Sequence, residues 1–221
     1  LYAARKDYFQ DFTKAGIDLF SIAATPTFSS SCFYLSGPSL KAPGEYDFSQ
    51  LDERMGMILD ANPKAFVFPR LNVGAPPWWL EQHPDDTCMQ EVGPGKYEKA
   101  IEFGNPVPSW ASEPYRALVR EGLERLIAHV ERSRYADNII GYHLASGTTE
   151  EWMFWGSNER EWTDYSPANK AGFQRWMRAK YGTVEALREA WNHPRVTFDM
   201  VEMQSRSGRE LAEFGNLRNP L

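Results

Sequence analysis

Three short apolar runs constrain this chain more than any other feature: IDLFSIAA at residues 17–24, KAFVFPRL at 64–71 and NIIGYHLA at 138–145. Each is too short for a buried helix and is bounded by Gly, Pro, Asn or Asp, the pattern of a strand covered on both faces. The stretches around them read as helices. Tyr8, Phe9 and Phe12 recur at helical spacing before the stop at Gly16. In GEYDFSQLDERMGMILDANP, Ser49 is a candidate cap, Asp52 sits in the first turn, and Leu51, Met55, Ile58 and Leu59 share a face. Ser112 and Pro114 open a longer helix whose stripe is Tyr115, Leu118, Val119, Leu126, Ile127 and Val130. Ser166-Pro167 opens another, Gly182 stops it, and Thr183 caps a shorter one reaching Trp191. Residues 27–43 and 72–111 read as loops.

Helix and strand alternate along the chain, which implies βαβ units, a parallel sheet and functional residues at the carboxyl ends of its strands. No GxGxxG or GxxxxGK[ST] motif supports a doubly wound nucleotide binder. The expected fold is therefore α/β, part of a (β/α)8 TIM barrel holding about three βα units. A complete barrel takes about 250 residues. The 221 residues here read as one partial barrel domain, with 192–221 an irregular tail leading to the missing part. The chain starts at Leu1, consistent with a piece of something longer. The open sheet edges of such an arc call for the remainder of the barrel or a second copy to cover them.

Composition excludes some partners. The net charge is -6 with scattered basic residues, so no nucleic-acid surface is expected. No apolar run approaches the roughly 20 residues that span a bilayer. Cys32 and Cys88 are too few for a disulfide framework. His83, His129 and His193 have no metal-site spacing, and no cofactor is expected. The compartment stays open.

Aromatics make up 14% of the chain, and they gather around the loops. In GYHLASGTTEEWMFWG, Gly141–Gly156, two adjacent carboxylates stand beside Trp152, Phe154 and Trp155. Apolar walls favour the neutral form of a carboxyl group, which suits a proton donor; solvated loop acids beside core aromatics are the plainer alternative. Trp78 and Trp79 follow Pro76-Pro77, a stiff platform for the C–H face of a sugar, although one of them packing in the core fits as well. Arg70 and Asn72 end the second run, where barrel residues reach the mouth, and His143 lies within the third.

The run GEYDFSQLDERMGMILDANPKAFVFPRLNVGAPPWWLEQHPDD resembles the early barrel of glycoside hydrolase family 42 β-galactosidases, with their G-x-Y-D-F-x-x-L-D helix start and A-P-P-x-W-L loop. IIGYHLA is similar to their fourth strand, and YSPANKAGFQRWMRAKYGTVEALREAWN to the segment that follows. The resemblance covers most of residues 1–192 and implies strands two to four of the barrel. It also implies a retaining glycosidase acting on β-galactoside-like bonds, with an oligosaccharide or glycoside as substrate. The family's Asn-Glu pair after the fourth strand is replaced here by ASGTTEEW. The implied acid/base is Glu150 or Glu151; Glu151, directly against Trp152, is preferred, with Glu150 then its neighbour. The nucleophile glutamate belongs to a later strand, outside this chain, so the isolated chain is expected to be inactive. Arg70, Asn72, Trp78, Trp79, His143, Trp152 and Trp155 are the implied substrate-binding residues. A non-catalytic carbohydrate-binding domain would use the same tryptophans without needing a protonated carboxyl group.

Overall fold

In the computed structural model, residues 6–29, 37–147, 152–154, 156 and 161–213 are described. In chain order the elements are α1 (Lys6–Lys14), β1 (Leu19–Phe20), β2 (Ala23–Ala24), β3 (Leu40–Ala42), β4 (Glu45–Tyr46), α2 (Ser49–Ala61), β5 (Phe66–Val67), β6 (Arg70–Asn72), α3 (Pro77–Gln82), β7 (Met89–Gly93), β8 (Lys96–Lys99), β9 (Ile101–Glu102), β10 (Asn105–Pro106), α4 (Glu113–Glu131), β11 (His143–Ala145), α5 (Pro167–Tyr181), α6 (Val184–Trp191) and α7 (Arg206–Glu213). They fall into two compact units, Leu1–Trp79 with Ala117–Trp155, and Leu80–Arg116 with Gly156–Leu221.

In the first unit the three apolar runs form parallel strands. Phe66 N donates to the Asp18 carbonyl at 2.7 Å, Phe68 N to Phe20 and Arg70 N to Ile22, both at 2.8 Å. The short fragments β1 and β2 are thus one continuous run beside β5 and β6. The third run joins the other side, giving the order β11-β6-β2. Val67 is bridged to Ile139 and Arg70 is paired with His143, so the third strand carries one extra residue between these rungs. Gly141 lies in that interval, where a Cβ would stand 3.0 Å from the Phe68 ring.

Strand neighbours in one row face one side of the sheet. Leu71 and Ala24 face the helices, in a core with Leu51, Met55 and Ile58 of α2 and Leu126 and Val130 of α4. The stripe read from the sequence of α2 is the one buried; Leu59 packs at its margin. Helix α4 approaches closely because residue 122 is glycine: a Cβ there would meet Thr27 Cγ2 at 2.6 Å. Ile58 is fully buried, so Ile58→Ala is expected to destabilise the fold by about 2–5 kcal/mol, read by denaturant titration of the full-length protein. A second tie joins α2 to the turn after α4. The Asp52 carboxylate accepts from Tyr135 Oη at 2.5 Å and lies 2.7 Å from His129 Nε2. Burial first, then the hydrogen bond to Asp52, pushes the Tyr135 phenol well up.

Local expectations are met at three caps and missed at a fourth. Ser112 Oγ accepts from Tyr115 N at 3.0 Å, Ser166 Oγ from Asn169 N at 3.1 Å and Thr183 Oγ1 from Ala186 N at 3.2 Å. Ser49, however, is the first helical residue of α2 rather than its cap; its own N–H donates to Asp47 Oδ1 at 2.9 Å. Hydrogen bonding from Ser49, through its side chain first and its main-chain N–H second, lowers the Asp47 pKa from its ordinary 3.8. Its stabilisation is therefore present above the unfolded value and lost as pH falls through the lower folded value. Asp47→Ala should lower the melting temperature at about pH 7 and leave it unchanged near about pH 2.

Regions expected to be loops hold more structure than their composition suggested. Within 27–43, β3 pairs with β4 in a hairpin. Within 72–111 lie α3, the β7–β8 hairpin and the β9–β10 hairpin. The tail from Asn192 contains a 3-10 turn at Phe198–Met200 and then α7, and Val196 and Val201 are buried with Met177 and Leu187. In this second unit the Asp164 carboxylate accepts from Met89 N and Ser166 N, joining β7 to the start of α5. Cys88 is buried and its thiol is raised well above its ordinary pKa, chiefly by desolvation and then by Asp164. Cys32 lies outside the described residues.

Candidate active site

The sheet face away from the helices is graded along the strands. At the amino ends it is apolar, with Leu19, Phe66 and Phe68 exposed. At the carboxyl ends it turns polar: Arg70 and His143 sit side by side in register, both exposed, and the His143 ring stacks parallel to Phe68 at 6.3 Å. This gradient is that of a barrel interior, filled below and polar at the mouth.

The rim beyond these residues is sewn together by buried polar groups. Thr27 Oγ1 donates to the Gly74 carbonyl at 2.6 Å. Gly74 N donates to Asn72 Oδ1 at 3.3 Å, and Asn72 Nδ2 donates to the Gly147 carbonyl at 3.4 Å. Thr27, Asn72 and Ser146 are all buried. Asn72, expected to bind substrate, is 1% exposed, with its amide oxygen and nitrogen both hydrogen-bonded to main chain.

After β11, Gly147 lies against Met153. Gly147 has φ +78, and a Cβ on it would lie 2.3 Å from the Met153 carbonyl oxygen. Trp152 N donates to the Ser146 carbonyl at 3.1 Å, and its indole Nε1 donates to the Leu144 carbonyl at 3.1 Å. Trp152 has φ +55, a left-handed conformation that costs a bulky residue roughly 1–2 kcal/mol. These bonds hold it there, with the side chain 46% exposed. Glu150, Glu151 and Trp155 lie outside the described residues. What the structure brings together is Arg70, Asn72, His143 and Trp152, at or next to the carboxyl ends of β6 and β11. Trp78 and Trp79 occupy α3 rather than an extended loop; Trp79 is buried and Trp78 half-buried. The sequence reading missed Thr27, Gly147 and Ser146. Buried Ser or Thr at the end of an apolar run was the available signal.

A sequence model of glycoside hydrolase family 42, described as β-galactosidase, matches residues 6–197. The chain belongs to this family. β-Galactosidase BbgII of Bifidobacterium bifidum is 28% identical over 151 residues, covering 67% of this chain and 19% of the relative. β-Galactosidase LacZ of Lactobacillus acidophilus is 28% identical over 154 residues, with the same coverage of 67% and 19%. The chain therefore spans 19% of the length of these relatives. Among solved structures, the β-galactosidase of the psychrophilic Marinomonas ef1 aligns with a TM-score of 0.61 at 23% identity, over 89% of this chain and 27% of that one. The catalytic domain of the Paenibacillus polymyxa β-amylase aligns with a TM-score of 0.64 at 15% identity, over 96% and 52%. At such identities these likenesses carry the fold. It is mixed α/β, of the TIM-barrel type of these glycoside hydrolases, with no closed barrel among the described residues. The family match runs through the segment in which ASGTTEEW stands in place of the Asn-Glu pair.

Proposed function

We propose that this chain is the acid/base-bearing part of a retaining glycoside hydrolase acting on β-galactoside-like bonds. It would supply strands two to four of the barrel. Glu151, as the neutral acid, gives its proton to the glycosidic oxygen as the C–O bond breaks. A nucleophilic carboxylate from a later strand, outside residues 1–221, attacks the anomeric carbon from the opposite face, about 5–5.5 Å from the acid. Water then enters, Glu151 takes its proton, and the sugar leaves with its configuration retained. Glu150 tunes the charge of its neighbour. Arg70 and His143 present polar groups toward the substrate, and Trp78, Trp152 and Trp155 offer aromatic faces to the sugar.

One observation carries this reading: the residues flanking 148–151 are fastened to the carboxyl end of β11, where Ser146 and Leu144 carbonyls receive the Trp152 N–H and indole N–H. Gly147 and Trp152, on either side of the glutamates in sequence, therefore both stand at the carboxyl end of β11. The exposed apolar face of Leu19, Phe66 and Phe68 supports completion of the barrel by further strands or a second copy. A carbohydrate-binding domain without catalysis would bind sugar through the same aromatics and tolerate loss of both carboxyl groups. Turnover of an aryl β-galactoside by Glu151→Gln and Glu150→Gln variants of the full-length protein, measured beside galactoside binding, separates the two. Unchanged turnover in both variants removes these glutamates from the mechanism.

A further inference from the structure

We infer that the second compact unit carries a surface groove for a neutral oligosaccharide. The groove consists of two open hollows that share a wall made by Glu202 and Met203. Tyr97 of β8 and Tyr165 line the first hollow. Trp191 at the end of α6, with Val196 and Met200, lines the second. All of these residues belong to the second unit, whereas Arg70, His143 and Trp152 belong to the first. A sugar bound here therefore needs none of the groups proposed for catalysis. The hollows hold about 170 and 240 Å³. Each falls short of the roughly 300 Å³ at which pockets for a single drug-sized ligand begin. Two small hollows with a common wall suit a chain of repeated units lying across the surface.

The rings are held by the protein itself. Tyr165 Oη donates to the Gln204 carbonyl at 2.9 Å, and the Arg209 guanidinium lies over the Tyr165 ring, 4.8 Å from its centroid. Tyr97 leans on Tyr165 with centroids 5.3 Å apart and is 47% exposed. Trp191 is half-buried against the cluster of Leu187 and Val196. Such rings lose little freedom on binding, and the C–H faces of a pyranose lie well against them.

Polar groups stand between the rings. Lys170 Nζ meets Glu202 Oε2 at 2.9 Å. The pair cancels its own charge, so the wall has no net attraction for a phosphate, a polyanion or a basic peptide. It still offers donors on Lys170 and acceptors on Glu202 to hydroxyl groups. Gln204 gives its carbonyl to Tyr165 and keeps its carboxamide without a hydrogen-bond partner among the described residues. A ligand that is uncharged, has apolar C–H faces and is ringed with hydroxyls matches the aromatic walls, the cancelled charge and the open carboxamide together.

Native electrophoresis of the full-length protein through gels containing soluble galactan, mannan or β-glucan tests the groove. Retardation by at least one of the three is expected. Tyr97→Ala should weaken that binding about tenfold with an unchanged melting temperature, and Tyr97→Phe should keep it, because the ring remains. Gln204→Ala leaves the ring packing whole and should weaken binding about threefold. Trp176→Ala removes an aromatic that is 53% exposed on α5 but lines neither hollow, so it should migrate as the parent does. No retardation by any of the three polysaccharides, or equal retardation of the parent and Tyr97→Ala, would overturn the groove. Equal weakening by Tyr97→Ala and Trp176→Ala would show adsorption to exposed rings in general and would overturn it as well.

Discussion

Replacing Glu151 by Gln in the full-length protein is expected to lower kcat on an unactivated β-galactoside by about 10²–10⁴-fold, the range for loss of a positioned general acid. Glutamine is nearly the same size and still accepts and donates hydrogen bonds, so substrate binding should persist. The dissociation constant for galactose-type ligands is therefore expected to stay within a few-fold, on the order of a 1 kcal/mol change at most. Glu150→Gln should be milder, because a neighbour that tunes charge alters the donor's proton affinity without replacing it. An inverted order, with Glu150→Gln the more severe, would exchange the two roles and leave the chemistry of the segment intact. The physical basis is the surroundings: Trp152 borders the pair in sequence and is held in a left-handed conformation by two hydrogen bonds to β11. An apolar neighbour of this kind favours the neutral form of a carboxyl group.

Gly147→Ala is expected to have the second largest effect. At φ +78 an L-residue is strained by about 1–2 kcal/mol. Here the strain adds to a collision, since the new Cβ would lie 2.3 Å from the Met153 carbonyl oxygen, a main-chain atom with no rotamer to adopt. The main chain must shift at Gly147 or Met153, straining the bonds that Asn72 makes to Gly147 and Trp152 to Ser146. Turnover should fall by about 10²-fold or more, with a melting temperature lowered by only a few degrees, because the helix-facing core is untouched. Gly16→Ala is the control. It has φ +84 but no heavy atom within 4 Å of the added Cβ, so it should show the conformational cost alone and retain full turnover. If Gly147→Ala turned over substrate as well as Gly16→Ala does, the crossing at Met153 would have no bearing on catalysis.

What the sequence disclosed was what local chemistry determines. Ser166-Pro167 and Gly182-Thr183 mark helix ends through hydrogen bonds spanning three residues, and such signals survive in any tertiary setting. Ser49 does not cap α2 because the helix begins at Ser49 itself, with Phe48 in the cap position and the Asp47 carboxylate accepting from the Ser49 N–H. The three apolar runs were legible as strands, and their parallel pairing followed from the alternation with helices. The extra residue near Gly141 was not legible, since register depends on the partner strand. The hairpins within 72–111 were hidden because their strands are short and bury few residues, none at all in the fully exposed β8, so no apolar periodicity marks them. Arg70 and His143 were legible as neighbouring strand-end positions because polar residues ending apolar runs stand out. Asn72 was picked out by the same logic; its burial and its bonds to Gly74 and Gly147 were not legible, since both depend on the folded rim. Thr27 and Gly147 escaped notice because their roles arise from contacts 47 and 75 residues distant in sequence.

The measurement that bears most directly on the proton donor is the product formed by Glu151→Gln from a dinitrophenyl β-galactoside in the presence of azide. Without a general base the galactosyl-enzyme waits, and azide, which needs no deprotonation, attacks it. Faster turnover with release of β-galactosyl azide is the expected result. An α-galactosyl azide, or no azide product and no acceleration from either Glu151→Gln or Glu150→Gln, would contradict the assignment of the proton donor to this segment.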